Sequence, residues 1–269
     1  MLRVGVIGAG QIGSAIARVL AESRKYKVIA SRRSIEKIKN LEKIGVELTR
    51  DNRRVASESD LVFLAVKPYK VVEVLKEVAD LLNGKILISV AAAVPISKLE
   101  KIAPQAKIVR AMPNVALMVK AGFTAYSRSR NVTNEDLKLI EEIFKELGEC
   151  MEVDEELMDA VTALSGSGPA YVATLIEAMA YAGLKVGLPR EFAYQSSAYT
   201  VYGTAKLVLE AGLHPSTIKE MVLTPGGTTI EGIFYLEEGG VRTALMKAVE
   251  AATRRAEEIA ENLLKSQKA

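Results

Sequence analysis

The stretch Leu2-Arg3-Val4-Gly5-Val6-Ile7-Gly8-Ala9-Gly10-Gln11-Ile12-Gly13 decides how the rest of the chain is read. Residues 2–7 alternate around Val4, Val6 and Ile7, as a buried strand does. Gly8, Gly10 and Gly13 follow at once in the spacing GxGxxG, and residues 14–21 read as helix. A strand–turn–helix context is what gives this spacing a meaning. Gly8 allows the tight turn, and Gly13 lets the helix pack closely on the strand. Gly10 lets a pyrophosphate approach the backbone at the positive end of the helix dipole. The stretch therefore predicts the first βαβ unit of a dinucleotide-binding domain.

Residues 26–30 are the second expected strand. A site for NAD(H) places Asp or Glu at its end, to accept from the ribose 2′-hydroxyl. Here the chain reads Ser31-Arg32-Arg33-Ser34, with no carboxylate and two guanidiniums. Arginine pairs with phosphate in a bidentate fork, so these residues point to a 2′-phosphate and to NADP(H) as the preferred cofactor, with NAD(H) still possible. The bland alternative is a solvated basic turn.

Helices are expected at 35–43, 52–59, 71–82, 96–102 and 134–147, and strands at 45–49, 60–66, 85–90, 107–111, 122–127 and 150–153. The run DLVFLAV (60–66) is apolar throughout, as in strands buried on both faces of a parallel sheet. It ends in Lys67-Pro68, and the carboxyl ends of such strands face the ligand crevice. Lys67 is thus placed to meet cofactor or substrate. After the strand at 85–90, Ala91, Ala92 and Ala93 are small enough for a flat ring to slide close. Pro113 and Asn114 end another strand, either as a simple turn or as a group that orients an amide or a water at the crevice mouth. Residues 1–155 therefore read as a doubly wound, mostly parallel α/β sheet of the Rossmann type.

From residue 156 to 269 the periodicity turns helical, giving an all-α second domain. Helices are expected at 155–164, 169–186, 189–211, 215–221, 230–238 and 241–265. Residues 171–184 are apolar on more than one face, and a helix of that kind must be buried. About 110 residues are too few to hide so much surface, so the helices are expected to pack against a second copy in an obligate dimer. Two segments interrupt the helices. TALSGSGPAY (162–171) alternates Ser165 and Ser167 with Gly166 and Gly168 ahead of Pro169. TPGGTTI (224–230) sets Gly226 and Gly227 before Thr228 and Thr229. Each reads either as a helix start, with Thr228 or Thr229 as N-cap in the second, or as a cradle for an anion the size of a carboxylate.

Composition excludes other classes. A net charge of +3 with dispersed basic residues gives nucleic acid no footprint. Cys150 and His214 are the sole members of their types, so neither an intrachain disulfide nor a Cys/His zinc site can be built. No metal is expected. The apolar run at the N-terminus is too short and too rich in glycine for a signal core or a membrane span, and a cytoplasmic location is the default.

Taken together, GAGQIG (8–13), Val66-Lys67-Pro68, Arg110-Ala111-Met112-Pro113-Asn114, TALSGSGPAY and TPGGTTI resemble, in this order and at these distances, the pyrroline-5-carboxylate reductases. The resemblance covers essentially the whole chain, and the last two motifs are the specific ones. It implies reduction of a cyclic imine bearing a carboxylate, 1-pyrroline-5-carboxylate, to L-proline by NADPH or NADH. It implies that Ile7, Gly8, Ala9, Gly10, Gln11 and Ile12 line the cofactor. Arg32, Asn52, Ala65, Val66, Lys67, Pro68, Val90, Ala91 and Ala92 would line it too. It implies that Gly226, Gly227, Thr228 and Thr229 embrace the substrate, with backbone N–H groups on its carboxylate and the Thr229 hydroxyl at the ring nitrogen. Glu155 and the loop of Ser165, Gly166, Ser167 and Gly168 would border the same pocket as its opposing wall. Dimers with interlocked helical domains, sites shared between two chains and pentamers of dimers are implied as well. Two rivals remain on residue chemistry alone. One is an NADP-dependent 3-hydroxyacid dehydrogenase, which calls for a lysine that neither cradle contains. The other is a non-catalytic NADP(H) sensor, which has no need of the second cradle.

Overall fold

The computed structural model describes residues 1–265. Its contacts divide the chain into two compact units, Met1–Ser167 with the residues from Glu250 onward, and Gly168–Val249. The first unit runs past residue 155, where the sequence placed the domain boundary.

Its elements alternate as the sequence pattern requires. They are β1 (Arg3–Ile7), α1 (Gln11–Glu22), β2 (Lys27–Ser31), β3 (Val46–Thr49), α2 (Asn52–Glu58), β4 (Leu61–Leu64), α3 (Val71–Val78), β5 (Ile86–Ser89), α4 (Ile96–Ile102), β6 (Lys107–Pro113), β7 (Gly122–Arg128), α5 (Asn134–Leu147) and β8 (Gly148–Glu152). The sheet order is β3-β2-β1-β4-β5-β6-β7-β8. Every pairing is parallel except β6 with β7. Alternate side chains feed two cores, one per face. Val4, Val6, Leu61, Phe63, Ile86 and Ile88 join α1 and α5 in one. Ile7, Ile29, Val62, Leu64 and Leu87 join α3 and α4 in the other.

One expected α-helix takes another form. Residues Ile35–Ile44 make a 3-10 helix. The apolar residues Ile35, Ile38, Leu41 and Ile44 recur every third position, the period of a 3-10 helix, and Ile38 and Leu41 are buried. The segment after β8 also departs from the expected single helix over 155–164. A 3-10 turn (Glu155–Leu157) leads into α6 (Met158–Val161) and then a π-helical turn (Thr162–Gly166).

The second unit holds α7 (Gly168–Lys185), α8 (Arg190–Leu209), α9 (Pro215–Val222), α10 (Thr228–Glu238) and the first part of α11 (Val241–Lys265). Helices α7 and α8 pack closely where Gly183 meets Ala193; a Cβ on Gly183 would lie 3.1 Å from that of Ala193. Among the described residues of this unit only Ala180, Ala193 and Ser197 are buried. Phe192, Tyr199, Tyr202, Phe234 and Tyr235 are each more than half exposed. Burying one such side chain is worth roughly 1.5–3 kcal/mol, so a row of them left in water marks an interaction face. No helix among the described residues is long and apolar enough to cross a membrane.

Helix α1 and the turn before it are in tight contact. A Cβ on Gly13 would fall 2.5 Å from the Gly8 carbonyl oxygen and 3.0 Å from Cβ of Ala65. Gly13→Val should therefore destabilise the fold by about 1–3 kcal/mol, the usual cost of overpacking, read as a lower midpoint in thermal denaturation.

Candidate active site

Strand β1 has β2 on one side and β4 on the other. The order reverses there, so the connections leaving β1 and β4 diverge and open a crevice at the carboxyl ends of the strands. A cavity of about 720 Å³ occupies that crevice. Gly8, Gly10, Gln11 and Ile12 line it from the turn after β1, and Ser31, Arg32 and Arg33 from the end of β2. Asn52 lines it from the start of α2; Ala65, Val66, Lys67 and Pro68 do so after β4, and Val90, Ala91 and Ala92 after β5.

The turn is built for an anion. Gly8 has φ +91°, a conformation that favours glycine, and its N–H and that of Ala9 donate to the Ser31 carbonyl. Gly10 caps α1 with no side-chain hydrogen bond, no acid lies in the first turn, and the space where its Cβ would stand is open to 3.9 Å. The amides of that first turn have no capping side chain, and the helix dipole adds to their attraction for negative charge. Ile7, Ala9 and Gly13 stand behind this surface. Ile7 and Ala9 are buried, and the Ala9 carbonyl accepts from Arg32 Nη1 at 2.8 Å.

The far end is basic. Arg50, which the sequence reading missed, joins Arg32 and Arg33 there. It follows β3, the neighbour of β2, and strand order alone brings it in. The other residues missed, among them Tyr69, Lys70, Glu73 and Glu77, belong to the loop after β4 and to α3. Ser31 Oγ donates to Asn52 Oδ1 at 2.7 Å, and Asn52 Nδ2 donates to Glu77 Oε2 at 2.9 Å, which fixes the Asn52 amide. A hydrogen bond from Lys70 holds the Glu73 carboxyl below the ordinary range, and Arg33 Nη2 lies 3.8 Å from the same carboxylate.

Besides Ile7, Ala9 and Gly13, the expected cofactor residues Pro113 and Asn114 fall outside the cavity lining. Pro113 pairs with Thr124 across β6 and β7. Asn114 Oδ1 accepts from Ala116 N at 3.2 Å and from Phe123 N at 3.4 Å, so its amide is used in closing the β6–β7 connection. Glu155 is also committed. Its Oε1 accepts from Ile96 N at 2.7 Å and lies 3.4 Å from Arg110 Nη1.

The reading of 162–171 as an open Gly/Ser cradle is corrected. From Met158 the chain is helical through the π-turn, and only a bend at Ser167 separates that turn from the start of α7. Ser167 N donates to the Thr162 carbonyl, Ser165 Oγ to that of Val161 and Ser167 Oγ to that of Thr162. Pro169 explains the wide turn. It has no N–H, and in an α-helix its ring would strike the carbonyl four residues back; the π-turn just before it relieves that clash. Gly166 and Gly168 sit in this helical run with no crowding at their missing Cβ positions.

The second cradle is a true turn. Gly227 N donates to the Thr224 carbonyl at 3.0 Å around Pro225 and Gly226, the latter at φ +65°, as in a type II turn. A Cβ on Gly227 would collide with the Thr224 hydroxyl. The N-cap of α10 is Gly227 rather than Thr228 or Thr229, and it makes no side-chain cap. The first amides of an eleven-residue helix thus lack a capping side chain, with Thr229 half-buried among them. His214 caps α9, its Nδ1 accepting from Ser216 N.

Known proteins match both the cofactor half and the helical half of the chain. The family model described as pyrroline-5-carboxylate reductase dimerisation matches residues 155–259, and the one described as NADP oxidoreductase coenzyme F420-dependent matches 3–93. Pyrroline-5-carboxylate reductase 2 of Homo sapiens is 41% identical over 268 residues, covering 96% of this chain and 84% of that protein. The chain belongs to the pyrroline-5-carboxylate reductase family. The enzyme of that name from Methanosarcina acetivorans is 41% identical over 263 residues, covering 96% of this chain and 97% of that one. The crystal structure of the Plasmodium falciparum reductase with NADP bound superposes with a TM-score of 0.88 at 32% identity, over 96% of this chain and 98% of that one. The dimerisation match and the exposed aromatic rows of the second unit agree that the chain is a homo-oligomer.

Proposed function

We propose that this chain is a pyrroline-5-carboxylate reductase, which transfers a hydride from NADPH to the C=N bond of 1-pyrroline-5-carboxylate and yields L-proline, the last step of proline biosynthesis. The observation that carries the reading is the glycine-capped start of α10 in a chain of this family, an amide cradle of carboxylate size beside a threonine hydroxyl. The cofactor fits the crevice on its own terms. The open space at Gly10 and the uncapped α1 amides suit a pyrophosphate. Arg32, Arg33 and Arg50 suit the 2′-phosphate, and Val90, Ala91 and Ala92 leave room for a flat ring.

The cofactor, once bound, supplies the hydride, and the protein supplies position and charge. Gly226, Gly227, Thr228 and Thr229 take the substrate carboxylate on backbone N–H groups. The Thr229 hydroxyl meets the ring nitrogen and orients the imine. A hydroxyl is a weak acid, so the proton comes from water or from an imine already protonated. Ser165, Gly166, Ser167 and Gly168 shape the pocket rather than perform chemistry, consistent with serine hydroxyls that are bound to their own helix. The protein works in the cytoplasm as a dimer through its helical domain, residues 156–269, with sites shared between chains, and dimers assemble further into decamers.

Thr229→Ala should lower turnover about tenfold to a hundredfold, the range for one lost orienting hydrogen bond, while NADPH binding stays unchanged. An unchanged rate of NADPH oxidation with the imine removes Thr229 from the mechanism. Replacing Arg32 and Arg33 together by Ala should weaken NADPH by about tenfold or more, since charge-assisted hydrogen bonds to phosphate are lost, and leave NADH nearly unaffected. Arg50→Ala should act in the same sense. Fluorescence titration with both cofactors reads the difference, and equal losses sink the 2′-phosphate assignment.

A further inference from the structure

Arg110 lies in the middle of the sheet, on β6, with a guanidinium side chain only 6% exposed. Its Nη1 is 3.4 Å from Glu155 Oε1 and its Nη2 is 3.1 Å from Asp159 Oδ1. Those carboxylates are four residues apart and meet one guanidinium fork. Glu155 Oε1 also takes the Ile96 N–H at the first turn of α4. The segment that enters the π-turn is thus tied at its start to β6 and to α4.

The far end of the segment rests on the same strand. Met112 shares a sheet face with Arg110, because strand side chains alternate. A Cβ on Gly166 would lie 3.7 Å from Met112 Sδ, in van der Waals contact, and Met158 packs with Met112 and Ala125 in a small buried cluster. One face of β6 therefore holds the beginning of the segment by charge and its π-turn by contact. Arg110 Nε is buried with no hydrogen-bond partner among the described residues. The guanidinium is oriented by its two carboxylates even though that leaves an N–H unused.

From this arrangement we infer that Arg110 is a positioning residue for the substrate wall. Its fork across Glu155 and Asp159 sets where the turn that carries Ser165, Gly166 and Ser167 stands. The inference rests on the reading of this chain as an imine reductase. A lysine at this position carries the charge but cannot fork to two carboxylates.

The test is steady-state kinetics of Arg110→Lys and Asp159→Ala in the full-length chain, with NADPH affinity measured separately by fluorescence titration. Misplacement of a pocket wall by a fraction of an ångström should raise KM for the imine, or lower kcat/KM, by about tenfold or more, with NADPH affinity unchanged. The double variant should be no worse than Arg110→Lys, because both act through one contact. A merely structural role lowers NADPH binding and imine turnover together, and that result overturns the inference. Variants whose imine KM and kcat/KM match those of an active wild type also overturn it, and leave the activity standing. Absence of imine-dependent NADPH oxidation in the wild type removes the activity and this inference with it. If Arg110→Lys does not fold, Asp159→Ala, which alters the more exposed member of the pair, decides alone.

Discussion

The approach of α1 to the end of β1 is the constraint on which the cofactor half depends. The missing Cβ at Gly13 lets the helix come down on the Gly8 carbonyl, and the positive φ of Gly8 turns the chain sharply enough to start that helix. Together they aim the α1 amides into the gap where β2 and β4 part on either side of β1. Arg32, Arg33, Arg50 and the residues after β4 and β5 arrive by the same rule, at the carboxyl ends of their strands, and α3 adds Glu73, Val74 and Glu77. A larger residue at either position would move the helix and, with it, the amides of its first turn.

The helical unit obeys a different constraint. It has almost no core of its own, with three small side chains buried and rows of aromatics in water. Its stability must come from association, which is the physical content of its likeness to a dimerisation domain. On that frame the turn at Thr224–Gly227 can stay polar and open. Gly227 is forced by the Thr224 hydroxyl against it, and as a glycine N-cap it leaves the first amides of α10 without a competing side chain. The geometry that excludes a side chain there also leaves those amides without a capping group.

The two glycine-rich motifs with hydroxyl side chains looked alike as sequence and prove physically different. TPGGTTI closes a turn and begins a helix. TALSGSGPAY passes from a π-turn through a single bend at Ser167 into the next helix, and each serine hydroxyl finds a carbonyl one turn back. Composition could not separate them, since glycine, serine and proline are compatible with both a loop and a widened helical turn.

The amino-acid sequence by itself determined the alternation of strands and helices, the dinucleotide turn, the basic end of β2 and the change to helices near residue 155. These follow from local periodicity and from residue types at fixed spacing, which short-range sterics enforce. Only the tertiary structure decided that Arg50 joins Arg32 and Arg33, that Asn114 and Glu155 are already engaged in the fold, and that Arg110 ties Glu155 and Asp159 to β6. Strand order and side-chain partners across many residues settle those points, and no pattern within a single element carries them.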